Sequence, residues 1–173
     1  MNKIWDIDGF IFRHPFTCLI AGPTQSGKTY FVRNILKSLH LMIDKKINRI
    51  IYCYSAYQPF FESLKTFNIE FVEGIPNLDD INASDSNLII LDDLLKECQD
   101  NSIIQNLFTV DSHHKNLSVF LLSQNLFPQG KCSRPISLNC HYIVVFNNPT
   151  NRSQIYSLAR QMFPQKVFYS KHI

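Results

Sequence analysis

The sequence predicts an α/β fold of three layers, with helices on both faces of a central, mainly parallel sheet. Three observations carry this. Five short apolar runs alternate along the chain with stretches of helical spacing, the order that builds parallel sheets through crossover connections. Several runs are apolar on both faces, as strands covered from both sides must be. Residues 22–29 read G-P-T-Q-S-G-K-T, a full match to G-x-x-x-x-G-K-[ST]. They lie between an apolar strand and a helix, the setting of a phosphate-binding loop.

The first strand spans residues 16–21 (F-T-C-L-I-A). Over residues 30–41, Phe31, Ile35, Leu36 and Leu39 recur at helical spacing. Residues 49–54 make the second core strand, and 59–67 a helical stretch. Residues 69–72 add a minor strand, 77–87 an acidic loop, and 88–92 the third core strand. A helix over 103–112 leads to the fourth strand, 117–123. The fifth, 142–146, precedes a last helix over 153–162. At the start Trp5, Phe10 and Phe12 alternate like an edge strand, which makes residues 1–12 a flanking strand or arm. The 173 residues are 45% hydrophobic and include 14 Phe and 7 Tyr. No repeat or linker interrupts them, so residues 1–173 are expected to form one domain with its own core.

Bulk chemistry narrows the setting. No run of about 18 apolar residues occurs, and the N-terminus lacks a secretory apolar segment. A soluble, intracellular protein is expected. The five cysteines are odd in number and include no C-x-x-C pair, which suits reduced thiols. Cys132, Cys140 and His141, with His113 and His114, match no zinc-finger spacing. The net charge of +3 hides an asymmetry. Residues 62–100 hold ten acids against two bases, and residues 101–173 one acid against seven bases. Such a basic half fits a polyanion partner or an ordinary solvated surface.

The loop carries the clearest chemistry. Its two glycines let backbone N–H groups curl around a phosphate, and the following helix N-terminus adds partial positive charge. The expected nucleotide-binding set is Gly22, Pro23, Thr24, Gln25, Ser26, Gly27, Lys28, Thr29 and Tyr30. Lys28 reaches the β- and γ-phosphate oxygens and Thr29 ligates Mg²⁺. The expected cofactors are therefore ATP and Mg²⁺.

Downstream, residues 88–93 read L-I-I-L-D-D. Four apolar residues ending in an acid form the Walker B pattern, whose carboxylate emerges at the strand's C-terminal edge. Asp92 is then the second Mg²⁺ residue, and Asp93 the base that orients the attacking water. The fourth strand ends in S-Q-N. Gln124 is the favoured γ-phosphate sensor, since its amide both donates and accepts; Ser123 and Asn125 are lesser candidates. Phosphoryl transfer also calls for a cation such as arginine. Arg134 and Arg152 follow the fourth and fifth strands, and either suits a finger reaching a neighbouring subunit, a helix cap or a DNA phosphate.

In H-P-F-T-C-L-I-A-G-P-T-Q-S-G-K-T, L-I-I-L-D-D, D-S-H-H-K-N-L-S-V, S-Q-N-L-F-P-Q-G-K, S-L-N-C-H-Y-I-V-V-F-N-N-P and L-A-R-Q-M-F-P, the chain resembles the FtsK–HerA superfamily. More narrowly it is similar to the genome-packaging ATPases of poxvirus-like viruses and of Polinton or adintovirus-type elements. The resemblance runs from His14 to Pro164. It implies a RecA-like sheet in the order 5-1-4-3-2, a homo-oligomeric ring (hexamer or pentamer), and ATP hydrolysis coupled to translocation of double-stranded DNA. It further implies a capsid protein or portal vertex as partner, and a place in the host nucleus, a cytoplasmic virus factory or the virion. Lys28, Thr29, Asp92 and Gln124 stand at matching positions. Asp93 departs from the Glu of the cellular members, and a shorter carboxylate must approach the water differently. Lys131 and Arg134, expected in the loop after the fourth strand, are the leading DNA-contact residues; phosphate contacts of this kind need no sequence reading.

Two rivals remain. A small-molecule or nucleotide kinase usually carries a lid with paired arginines and no acid beside the Mg²⁺ aspartate. A nucleotide-gated interaction module would bind without turnover. Guanine-reading N-K-x-D and the ABC signature L-S-G-G-Q are both absent.

Overall fold

The computed structural model describes residues 9–94, 102–127, 133–149 and 151–163. Six strands form one sheet: β1 (Thr17–Ala21), β2 (Arg49–Tyr54), β3 (Ile69–Glu73), β4 (Asn87–Asp92), β5 (Leu117–Ser123) and β6 (Tyr142–Val145). Their order is β3-β2-β4-β5-β1-β6, and every pairing is parallel. Numbering only the five core strands gives 5-1-4-3-2 from the β6 edge, as expected, with the minor strand β3 added outside β2. The central strands β1, β4 and β5 are buried along their whole length. The edges β3 and β6 are only partly covered.

Strand alternation sorts the core into two layers. Cys18, Ile20, Tyr52, Leu88, Ile90, Phe120 and Leu122 face one side. They pack against Val32, Ile35 and Leu36 of helix α1 (Lys28–Lys37), and against Phe12, Phe16 and Phe61. Leu19, Ile51, Ile89, Leu91, Val119 and Leu121 face the other. They meet Ile104 of α3 (Ser102–Asn106), the π-helical turn Leu107–Asp111, and Ile136 of α5 (Ser133–Leu138). A short α2 (Leu39–Met42) follows α1, α4 (Ser112–His114) closes the π turn, and α6 (Ser153–Met162) comes last. No helix among the described residues is long and apolar enough to cross a membrane.

Several local outcomes differ from the sequence expectation. The helix expected over 30–41 breaks at Ser38, which leaves helical geometry (φ −120°, ψ 34°). Residues 59–67 instead hold a 3₁₀ turn, Pro59–Leu64, that buries Phe61 and Leu64. Three-residue spacing stacks those two side chains on one face of a 3₁₀ helix. Arg134, expected in a loop, lies in α5. That helix is one and a half turns long and buries Ile136, too little periodicity to stand out in a sequence. At the start, Phe12 forms an isolated parallel bridge with Ile43 rather than a strand, and Trp5 lies outside the described residues.

The end of the sheet away from the phosphate loop carries a polar clasp. His14, 6% exposed, faces Ser118 Oγ at 2.6 Å through Nδ1 and Asn116 Oδ1 at 3.0 Å through Nε2. An amide oxygen only accepts, so Nε2 carries the proton and Nδ1 accepts from Ser118. The Phe16 N–H donates to Ser118 Oγ, and Asn116 Nδ2 donates to the Asp85 carbonyl. The H-P-F and K-N-L-S segments are thus joined at the N-terminal ends of β1 and β5.

Candidate functional site

The loop leaves β1 at Gly22, whose N–H donates to the Ser123 carbonyl of β5. Gly22 is packed so closely that an added Cβ would lie 2.5 Å from Phe146 Cβ and 2.8 Å from Ser26 Oγ. Gly27 has φ +100°, a left-handed conformation that favours glycine, and it caps α1. Gln25, with φ +63°, is a second left-handed residue. Thr24, Gln25 and Tyr30 are exposed, while Pro23, Lys28 and Thr29 are half-buried. Lys28 Nζ donates to the carbonyls of Gly22 (2.6 Å) and Pro23 (2.9 Å). Ser26 Oγ is buried with no hydrogen-bond partner. This orphaned hydroxyl, the Lys28 ammonium and the first N–H groups of α1 suit the oxygens of a phosphate.

Asp92 ends β4 on the same face as α1 and is 6% exposed. Its Oδ2 accepts a 2.8 Å hydrogen bond from the Tyr52 hydroxyl. Asp93 breaks the strand with φ +58°, stays exposed, and faces Gln124 Nε2 at 3.3 and 3.4 Å. Ser123 Oγ is engaged with its own turn, donating to the Asn125 carbonyl and accepting from the Asn125 N–H. Gln124, rather than Ser123, is therefore the residue turned to Asp93.

The electrostatics tie these tips together. Burial pushes the Lys28 ammonium below its ordinary pKa, while Asp92 and Asp93 pull it back up. Burial raises the Asp92 carboxyl above the usual range. The Tyr52 hydrogen bond and Lys28 oppose that rise, and Asp93 adds to it. Tyr52 is itself driven far up, first by burial and then by the Asp92 charge. The Thr29 hydroxyl and the Asp92 carboxylate are hard oxygen donors, the chemistry that fits Mg²⁺.

Lys28, Asp92, Asp93 and Gln124 thus gather at the C-terminal ends of β1, β4 and β5. Arg152 is exposed at the start of α6. Its neighbours Asn151 and Gln154 line a cleft with Gly22, Gln124 and Phe146, and the Leu126 N–H donates to Gln154 Oε1. Lys131 lies outside the described residues. Tyr54 and Tyr57 pack on Phe61 with ring centroids at 5.0 and 5.5 Å. Sequence reasoning missed Tyr52 and Phe146. Both read as ordinary apolar strand residues, and only the strand pairing reveals what they touch.

No protein-family model matches the chain, and no curated protein matches it either. Among solved structures it is similar to the genome packaging NTPase B204 of Sulfolobus turreted icosahedral virus 2. Against the sulfate complex the TM-score is 0.55 at 12% identity, covering 87% of this chain and 83% of that one. Against the AMP complex it is 0.53 at 12% identity, covering 86% of each. At that identity the likeness is one of fold, a single all-parallel sheet with flanking helices as described above.

Proposed function

We propose that this chain is an ATP-hydrolysing motor that translocates double-stranded DNA, in the packaging of a viral genome into a capsid. The observation that carries the reading is the convergence of Lys28, Asp92, Asp93 and Gln124 on one edge of the sheet. Lys28 exchanges its loop carbonyls for β- and γ-phosphate oxygens, and the α1 N-terminus and the loop N–H groups hold the rest. Thr29 and Asp92 hold Mg²⁺, which when bound neutralises charge on the phosphates. Asp93 orients the attacking water and accepts its proton, while Gln124 spans Asp93 and the terminal phosphate.

The FtsK–HerA-like motifs favour a DNA motor acting as a ring, with a capsid protein or portal vertex beside it. Similarity to a protein described as a genome packaging NTPase points the same way. In a ring, Arg134 or Arg152 serves as the trans cation, and Lys131 with Arg134 meets DNA phosphates. The deciding experiment is ATP turnover with and without duplex DNA, for the wild type and Lys28→Ala. Turnover stimulated by duplex and lost in the variant is expected. Phosphate transferred to a nucleoside or metabolite would make the chain a kinase. Nucleotide binding without turnover under either condition would make it an interaction module.

A further inference from the structure

We infer that Tyr52 is a positioning residue for Mg²⁺ binding: its buried hydroxyl holds the Asp92 carboxylate in the orientation that a divalent cation beside Thr29 requires. This rests on the proposed role of Asp92. Tyr52 pairs with Ile90 across β2 and β4, and Tyr54 pairs with Asp92. Tyr52 and Asp92 are therefore diagonal neighbours on the same face, a separation that an aromatic side chain can span. Tyr52 lies along the sheet toward its C-terminal edge, and its hydroxyl reaches Asp92 Oδ2 at 2.8 Å.

The surroundings make this contact costly to keep for packing alone. Tyr52 is fully buried, with ring neighbours Phe61 at 5.1 Å and Phe71 at 5.7 Å. A phenylalanine would fill that aromatic layer without bringing in a hydroxyl that needs a partner. The hydroxyl also has a directional consequence. With Oδ2 accepting from the Tyr52 hydroxyl on the β2 side, rotation of the carboxylate is restrained, which favours Oδ1 as the oxygen offered to a cation or its water. Outer partners of this kind commonly set metal affinity by 10- to 100-fold.

The test is the Mg²⁺ dependence of nucleotide affinity, read by fluorescence titration of a non-hydrolysable ATP analogue in EDTA and then in Mg²⁺. Tyr52→Phe is expected to bind the analogue like the wild type in EDTA. Its gain in affinity on adding Mg²⁺ should be smaller by roughly tenfold. Combined with Asp92→Asn, it should cause no further loss of that gain, since the hydroxyl acts through the carboxylate. A full Mg²⁺ gain in Tyr52→Phe overturns the inference, and so does an equal loss with and without the metal, which would mark a packing effect. If Asp92→Asn alone keeps the wild-type gain, the Mg²⁺ role of Asp92 fails and the inference falls with it.

Discussion

Replacing Gly22 with alanine should cripple the phosphate loop for a purely steric reason. The new Cβ would sit 2.5 Å from Phe146 Cβ and 2.8 Å from Ser26 Oγ. Phe146 cannot easily retreat, because its N–H is bonded to the Ala21 carbonyl at 2.8 Å and its ring packs on Phe31. Ordinary contact begins near 3.4 Å, so the loop must move by about 0.9 Å. Overpacking of this size costs roughly 1–3 kcal/mol. A displacement near 1 Å at a catalytic loop lowers turnover by about 100-fold. The assay pairs a thermal melt with ATP turnover and analogue binding.

The identity of the clashing atom sharpens the test. The nearest contact is to Cβ, not to the ring, so Phe146→Ala should fail to rescue Gly22→Ala. Only Phe146→Gly removes that shorter contact; the 2.8 Å contact to Ser26 Oγ remains, so it should restore analogue binding only in part. Wild-type binding by Gly22→Ala, or rescue by Phe146→Ala, would show that Phe146 Cβ does not confine the loop at Gly22.

Two further outcomes concern stability. His14→Ala should destabilise the domain by about 2–3 kcal/mol, since it orphans Ser118 Oγ and Asn116 Oδ1 in a buried clasp. Nucleotide affinity should not change, because the clasp is at the opposite end of the strands. Burial lowers the His14 pKa below 6.5. The neutral ring's contribution is therefore full above pH 6.5 and is lost as pH falls through the folded-state value; chemical denaturation at stepped pH should show this slope in wild type and not in His14→Ala. Asp92→Asn should abolish turnover yet raise stability at pH 7 by on the order of 1 kcal/mol, or about 2–4 °C in Tm. Asp92 has a raised pKa in the fold, so its ionised form is the destabilising one. The advantage of the Asn variant should shrink as pH falls toward 3.8 and below.

The sequence made the sheet and most of the site legible because both are written in local patterns. Apolar runs marked all six strands, and the topology followed from the resemblance that the motifs carried. The loop glycines and Asp92 could be read because their chemistry demands those residue types at fixed spacing. What stayed hidden depends on pairing. Tyr52 matters because β2 lies beside β4 in a particular register, and Phe146 because the end of β6 passes under Gly22. Neither fact has a one-dimensional signature. The helix α5 escaped for another reason: six residues are too few to show a measurable period.

The adjacent acids Asp92 and Asp93 do different work because the backbone changes conformation between them. In a continuing strand, successive side chains point to opposite faces, and Asp93 would enter the layer of Leu91 and Leu94. The left-handed φ of +58° stops that. It keeps Asp93 at the rim, exposed and 3.3 Å from Gln124, while Asp92 stays buried beneath. Asn adopts this conformation as readily as Asp, so Asp93→Asn leaves the backbone unstrained and removes only the proton acceptor. Turnover should fall by about 100-fold or more, the usual weight of a general base. Analogue affinity and its Mg²⁺ dependence should hold near wild type. Near-normal turnover in Asp93→Asn, beside a dead Asp92→Asn, would show that the water is oriented by another group.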